Sequence, residues 1–491
     1  MATEPTRGVT LTHNAAALTV GRLGSKLLVF LLVRFYTYVL TKEQFGTADL
    51  ISSVANLLIP LACAGLSSGF FRFAAEAKSE REQTDVFSTG VLILIASSLV
   101  FALISPLITL VPFLGSYALI LLLYVLCANL HYLVSDFVRA QGRYQLFALQ
   151  GLLNTALNIA FNLIFLLPLS MGVEGYILSI VVADLITSVV LIVACRLWRY
   201  VRLRSVQRRQ LGAMLRFSLP LIPATVCWWI TNASDRYMVT YFCGEAANGL
   251  YAAAYKIPNL LVIAGGIFTD AWQFSAVVEN RRAENAETED ERRIRHGEME
   301  QFFTNVFSGY SGFLCLAAAG MMLLCRPMAA ILFDPTFVEA WRFVPVLLLA
   351  TVLSALSSFV SSVYLVERRG QAILVTSLIG ALCNVVLNLS LIPPMGALGA
   401  AIATAVSYLA VLIVRLLHSR RHIRFGVSPV RLLVNLIALV AISVVMSIEL
   451  SGWIWYTLAL CCVVAVISAQ PLLRALRGFL NGRRAASGKK D

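Results

Sequence analysis

Leu219 to Pro258 reads LPLIPATVCWWITNASDRYMVTYFCGEAANGLYAAAYKIP, an apolar helical pattern that opens on Pro220 and Pro223, closes at Gly249 and carries Asp235-Arg236 within its body. About 20 apolar residues at about 1.5 Å each cross a hydrocarbon core of about 30 Å, so the stretch predicts a membrane-spanning helix. A charge at the centre of such a helix costs about 2.5 to 3.5 kcal/mol on translocon scales. An ionisable pair placed there points to function rather than to packing.

The whole chain shares this character. Its 491 residues are 59% hydrophobic and 13% charged, against about 25% charged in soluble domains, and the mean hydropathy is +0.80. Residues 1–14 are polar and the first apolar run is too long for a signal-peptide core, so that run is expected to remain as a membrane helix. Apolar segments predict about 14 transmembrane helices: 15–40, 47–75, 86–111, 117–139, 147–168, 173–196, 213–243, 249–279, 301–325, 341–365, 371–392, 397–417, 431–449 and 453–473. The fold class expected is an all-α integral membrane protein.

The distribution of charge supports this count. The net charge of +13 is concentrated in alternate connections: Lys78 and Arg81; Arg139 and Arg143; a cluster from Arg196 to Arg216; Arg281 to Arg295; Arg368 and Arg369; Arg415 to Arg431; and the tail after Arg474. The opposite connections hold Lys42, Arg326 and Arg342. Short cytoplasmic loops collect Lys and Arg, which places both termini in the cytoplasm and makes the number of spans even. This topology signal accounts for the basic character, and no soluble basic domain is left to hold nucleic acid. Ten scattered cysteines, almost all in apolar runs without CxxC spacing, read as small core residues.

Two copies of one design are visible. Asn158 and Asn162 lead to Pro168 and MGVEG at 171–175; Asn384 and Asn388 lead to Pro394 and MGALG at 395–399, offset by 226 and then 224 residues. Arg34, Glu43 and Gly46 correspond to Arg236, Glu245 and Gly249 at offsets of 202, 202 and 203. Six helices per copy predict two pseudo-symmetric six-helix lobes in parallel orientation. The expected domains are an N-terminal lobe (1–196), a basic linker (197–212), a C-terminal lobe (213–418), two additional helices (431–473) and a basic tail (474–491). The prolines at 60, 220, 223, 258 and 345 are expected to interrupt spanning helices, and the Asn pairs to join helices within each lobe.

Several ionisable residues lie within the spans and must face protein or a watery cavity. Arg22, Lys26 and Arg34 fall within about 120° of arc on the first helix. Arg22 and Lys26 have two roles open to them, snorkelling to the head groups or facing a cavity. Arg34 and Arg236 are deeper and occupy equivalent repeat positions; substrate contact and pairing with a carboxylate such as Asp235 are both open. Lys256 lies near the outer boundary. Asp235 and Asp270 are candidate charge partners or coupling residues. GRLGSK at 21–26 lacks the spacing of a phosphate loop, and the five histidines have no metal spacing. No catalytic, metal or cofactor site is expected, and the chain is not read as an enzyme.

FGTADLISSVANLLIPLACAGL with GFFRFAAE in the second span, SDRYMVTYF with GLYAAAYKIPNLL and DAWQ, and the NxxxN–P–MGxxG elements resemble the bacterial polysaccharide transporter family. This family of Wzx-type flippases belongs to the superfamily that also holds MATE drug antiporters and the lipid II flippase. The resemblance implies two six-helix lobes about a central cavity in the bacterial plasma membrane. It also implies that an undecaprenyl-diphosphate-linked oligosaccharide is turned from the cytoplasmic to the outer leaflet. Cavity cations would receive the diphosphate: Arg34 and Arg236, then Arg22, Lys26 and Lys256. Expected partners are the lipid-linked glycan, the bilayer, and a glycan polymerase or other assembly proteins. A lipid II flippase and a MATE-like exporter are the alternatives, the latter disfavoured by the cationic placement. A glycan polymerase or ligase would need a large external loop, whereas the longest external connection here runs from Arg326 to Ala340.

Overall fold

A computed structural model of the protein describes residues 32–202, 206–266, 268, 269, 272, 288–366, 370–419, 426 and 428–487. Among them every regular element is a helix, and twelve helical stretches are long and apolar enough to cross a membrane. The chain is a multi-pass membrane protein. These stretches coincide with twelve of the fourteen expected spans; the other two, 15–40 and 249–279, run onto residues outside the described ones.

The chain divides into two compact units, one of residues Met1–Trp229 with Gly244–Gly249, the other of Ile230–Cys243 with Leu250–Asp491. The first contains α1 (Val33–Val39), α2 (Lys42–Ala62), α3 (Leu66–Glu76), α4 (Glu80–Ile104), α5 (Ala118–Ala140), α6 (Tyr144–Leu166), α7 (Gly172–Ala194) and α8 (Arg208–Ser218). Thr41 and Gln44 close a reciprocal capping box at the start of α2, and Ser79 and Glu82 do the same for α4. Each box satisfies two backbone donors that have no partner within the helix. The core gathers Phe70, Phe87 and Phe137, with ring centroids 4.4 Å apart for Phe87–Phe137, together with Leu191 and Met214. Within a bilayer such a core rests on close contact, since lipid is as apolar as the side chains.

One expected span is two helices. Ala64 and Gly65 adopt left-handed φ of 52° and 74°, and the Gly65 N–H donates to the Pro60 carbonyl at 2.7 Å, which ends α2 and turns the chain into α3. Pro60 itself lies inside α2, which runs on to Ala62, so the interruption is at Ala64–Gly65. Pro223 and Pro345 instead stand second in their helices, where a missing N–H leaves nothing unpaired, and Pro220 lies in the 3-10 turn Leu219–Leu221. Pro258 opens the helical residues 258–266 after a turn at Ile257. The expectation that all five interrupt helices is corrected accordingly.

The second unit takes α9 (Ile222–Cys243) from Ile230 and α10 (Glu245–Lys256) from Leu250, followed by α11 (Glu289–Leu323), α12 (Cys325–Leu332), α13 (Val344–Val366), α14 (Gly370–Met395), α15 (Ala397–Ser419), α16 (Pro429–Ser447) and α17 (Trp453–Ser487). Gly244, at φ 89°, ends α9, so the terminator is Gly244 and not Gly249. Gly249 lies within α10, where the Asn248 side chain donates to the Gly46 carbonyl at 2.8 Å. Trp272 stacks on Phe359 at 4.6 Å and donates from Nε1 to Ser362 Oγ at 2.9 Å. The two additional helices are tied to each other by Asn435 on Ser468 at 3.3 Å, and α17 to α11 by Cys461 Sγ on the Ala319 carbonyl at 3.3 Å.

The MGxxG elements fold alike. Gly172 and Gly396 have φ of 56° and 61°, a region open to glycine at little cost. Three residues on, a Cβ on Gly175 would lie 2.9 Å from Met171 Cβ and 3.1 Å from Phe165 Cβ; on Gly399 it would lie 2.6 Å from the Leu391 carbonyl carbon. Gly399→Ala is therefore expected to lower stability by about 2 kcal/mol and Gly175→Ala by less, read as thermal midpoints in detergent, because backbone yields less readily than side chains. The Asn pairs bond differently from expectation. Asn162 donates to Asn158 Oδ1 and Asn388 to Asn384 Oδ1, both at 2.9 Å along one helix; only Asn384 reaches a neighbouring helix, at Thr404 Oγ1, 3.4 Å away. The i,i+4 spacing lets the amides satisfy each other first.

Candidate functional site

Asp235 and Arg236 lie in the second half of α9, and the turn at Gly244 brings α10 back beside them. Tyr251 and Tyr255 are four residues apart on α10 and so share a face, their rings meeting edge to face at 5.1 Å. Both hydroxyls donate to Asp235 Oδ2, from Tyr251 at 2.6 Å and from Tyr255 at 3.2 Å. The Asp235 side chain has no solvent exposure. A buried carboxylate is tolerated when hydrogen-bond donors surround it, and charge-assisted bonds of this kind are about twice as strong as neutral ones.

Arg236 is held differently. Its Nη1 donates to the Asn232 carbonyl at 2.9 Å, the Nη1–Asp235 Oδ1 separation is 3.8 Å, and the guanidinium lies over the Tyr255 ring at 4.6 Å from the centroid. The guanidinium thus rests on a ring face and a helix carbonyl, with the Asp235 carboxylate beside it. Its side chain retains 15% exposure. Asn232 is fixed in turn by the Tyr408 hydroxyl of α15, which donates to Asn232 Oδ1. The cluster couples α9, α10 and α15 within one unit.

The other expected residues are dispersed. Arg34 is exposed on α1, in the first unit, and its carbonyl accepts from Thr37 Oγ1 at 3.1 Å. Lys256 is half-buried at the end of α10, one residue beyond Tyr255. Arg22, Lys26 and Asp270 lie outside the described residues. Arg236 and Asp235 are therefore brought together with Tyr251, Tyr255, Asn232 and Tyr408, none of which the sequence reading singled out. The spacing of TyrAlaAlaAlaTyr at 251–255 was the available signal: two phenols on one helix face beside a helix that carries an acid.

A second buried cation overturns an expectation. Arg415 is not a loop residue: it lies within α15 and is 7% exposed. Nε donates to Thr376 Oγ1 at 3.1 Å, Nη1 to the Ser357 carbonyl at 3.0 Å and its hydroxyl at 3.1 Å, and Nη2 to Ser377 Oγ at 3.1 Å. The fork of the guanidinium ties α15 to α13 and α14 through neutral oxygens. Among the described residues, no three His, Cys, Asp or Glu side chains gather as a metal site.

The Tyr251 and Tyr255 hydroxyls carry a measurable load. Replacing both with Phe leaves Asp235 buried with its nearest cation at 3.8 Å, and is expected to lower stability by about 3 kcal/mol. Tyr251→Phe alone should account for the larger part, its bond being the shorter. Adding Asp235→Asn to the double variant should recover part of the loss, because the buried charge is then gone; thermal midpoints of the purified proteins report all three.

A family model described as polysaccharide biosynthesis protein matches residues 11–272. Comparison with curated proteins found no match. Among solved structures, the lipid II flippase MurJ in an inward closed conformation superposes with a TM-score of 0.67 at 14% identity, covering 94% of this chain and 99% of that one. An inward-facing multidrug resistance MATE family transporter of the MOP superfamily gives 0.66 at 17%, covering 83% and 98%. A MOP superfamily transporter from Pyrococcus furiosus, whose structure is described as having reversed polarity of its binding pocket, gives 0.59 at 18%, covering 86% and 99%. At these identities the likeness is one of fold, that of the MOP superfamily transporters.

Proposed function

Since the chain belongs to the polysaccharide biosynthesis protein family, we propose that it is a flippase for an undecaprenyl-diphosphate-linked oligosaccharide, turned from the cytoplasmic to the outer leaflet by alternating access. The observation that carries this reading is Arg236, a guanidinium within a spanning helix, buried to 15% exposure and set over a ring face. A diphosphate entering a medium of low dielectric needs compensating positive charge, and a guanidinium gives it in a planar, bidentate form. Asp235 serves to position: held by two phenols and beside the guanidinium, it fixes the place of Arg236 on α9. Arg34, at the equivalent repeat position, is the second contact, with Arg22, Lys26 and Lys256 along the path and Asp270 as a candidate coupling group.

The protein then resides in the bacterial plasma membrane with both termini in the cytoplasm, alongside a glycan polymerase or other assembly proteins. Depleting it and identifying the lipid-linked intermediate by mass spectrometry tests the reading. Undecaprenyl-diphosphate-oligosaccharide should accumulate. Accumulation of lipid II would transfer the function to peptidoglycan precursors, and accumulation of neither would reject a flippase of this class.

A further inference from the structure

Between Asp184 and Asp235 the chain has no acidic residue, while Arg196, Arg199, Arg202, Arg204, Arg208, Arg209 and Arg216 fall within 21 positions. A topology signal needs only the charge, in any conformation. Here the described residues on either side of 203–205 have definite partners. Ser88 Oγ donates to the Tyr200 carbonyl at 2.8 Å and accepts the Arg202 N–H at 2.8 Å, and Gln207 Nε2 donates to Asp85 Oδ2 at 3.4 Å. Tyr200 and Arg202 on one side and Gln207 on the other are thus docked on α4.

On α8 the two faces are cleanly divided. Met214 and Ser218 are buried at 0% and 1% exposure, and Phe217 packs edge to face on Phe73 at 5.7 Å. Arg208, Arg209 and Arg216 are exposed and fall within about 100° of arc opposite Met214 at 100° per residue. Gly212 lies in the same arc, with open space where a Cβ would project, so a ligand can approach the backbone between the arginines. The face is also at the membrane boundary. The helical run Arg208–Cys243 has 36 residues, which at about 1.5 Å each exceeds a core of about 30 Å, so its basic start stands outside the hydrocarbon. Exposed Trp198 at 52% and Leu219 at 48% flank it, apolar surface that a soluble anion would not use but acyl chains and the interfacial zone would.

We propose that Arg208, Arg209 and Arg216, with Arg196 and Arg199 in the same segment, form a binding face for the phosphate head groups of anionic phospholipids in the adjoining leaflet. The occupant is a bilayer lipid rather than the transported substrate, because the face is built on exposed residues of the first unit beside exposed apolar side chains, on residues separate from the Arg236 cluster. It holds whatever the cargo proves to be.

The test uses the full-length protein in neutral detergent, titrated with short-chain phosphatidylglycerol, phosphatidylcholine or inorganic diphosphate while the thermal midpoint is followed. Phosphatidylglycerol should raise the midpoint, phosphatidylcholine should not, and the shift should shrink in high salt. Arg208→Gln/Arg209→Gln/Arg216→Gln should weaken phosphatidylglycerol about a hundredfold. The triple Lys variant should retain binding to within about tenfold, which separates loss of charge from loss of fold. Equal shifts with phosphatidylcholine, equal potency of free diphosphate, or unaltered phosphatidylglycerol binding by the Gln variant would each overturn the proposal.

Discussion

Arg236→Ala should reduce export of surface glycan about a hundredfold while the protein still inserts and accumulates. The magnitude follows from removing one partner of a desolvated charge–phosphate contact, which costs about 2–5 kcal/mol. Insertion should survive for a reason visible in the cluster: Asp235 keeps its bonds from Tyr251 and Tyr255, so the carboxylate left behind is not stranded. Arg236→Lys keeps the charge and loses the planar fork, and export between the two extremes would show that guanidinium geometry contributes beyond charge. Arg34→Ala is expected to act in the same direction, its side chain being exposed on α1. Measuring glycan at the surface of a deletion strain, with membrane levels of each variant, decides the matter; full export by both Ala variants would refute the cation role.

Arg415→Ala should act on stability instead, lowering it by about 3 kcal/mol. Three side-chain oxygens and one carbonyl lose a charged donor at once, and truncation leaves a void between three helices. Thr376 is partly protected because its hydroxyl donates to the Ala372 carbonyl at 2.9 Å. Lysine at 415 brings one ammonium in place of a fork and cannot reach Thr376, Ser357 and Ser377 together, so it should recover less than half of the loss. The thermal midpoint of purified protein reads this out, and an Arg415→Ala variant as stable as the parent would show that the network contributes nothing net.

These two arginines mark what the sequence discloses. Arg236 stood out because about twenty apolar residues surround it, and hydropathy registers that directly. Arg415 is five residues before the Arg420–Arg421 pair, near the end of its span, where hydropathy cannot tell a loop cation from one folded inward; only the serines and threonine of α13 and α14 decide it. The same holds for the turn after α9. Gly244 and Gly249 both suit a helix terminus, and the choice rests on a backbone φ of 89° at the first. The MGxxG repeats were legible because their glycines answer a local need, a left-handed turn and a close helix crossing, that recurs in each copy. Tyr251 and Tyr255 were legible as a pair on one face, but that the face turns toward Asp235 depends on how α10 returns.

The most direct test places the purified protein in vesicles whose inner leaflet holds fluorescently tagged undecaprenyl-diphosphate-oligosaccharide, and follows quenching by a reductant that does not cross the membrane. The account predicts that wild-type vesicles lose fluorescence well beyond the fraction initially outside, while Arg236→Ala vesicles resemble protein-free ones. Wild-type vesicles that quench no further than protein-free vesicles would contradict it.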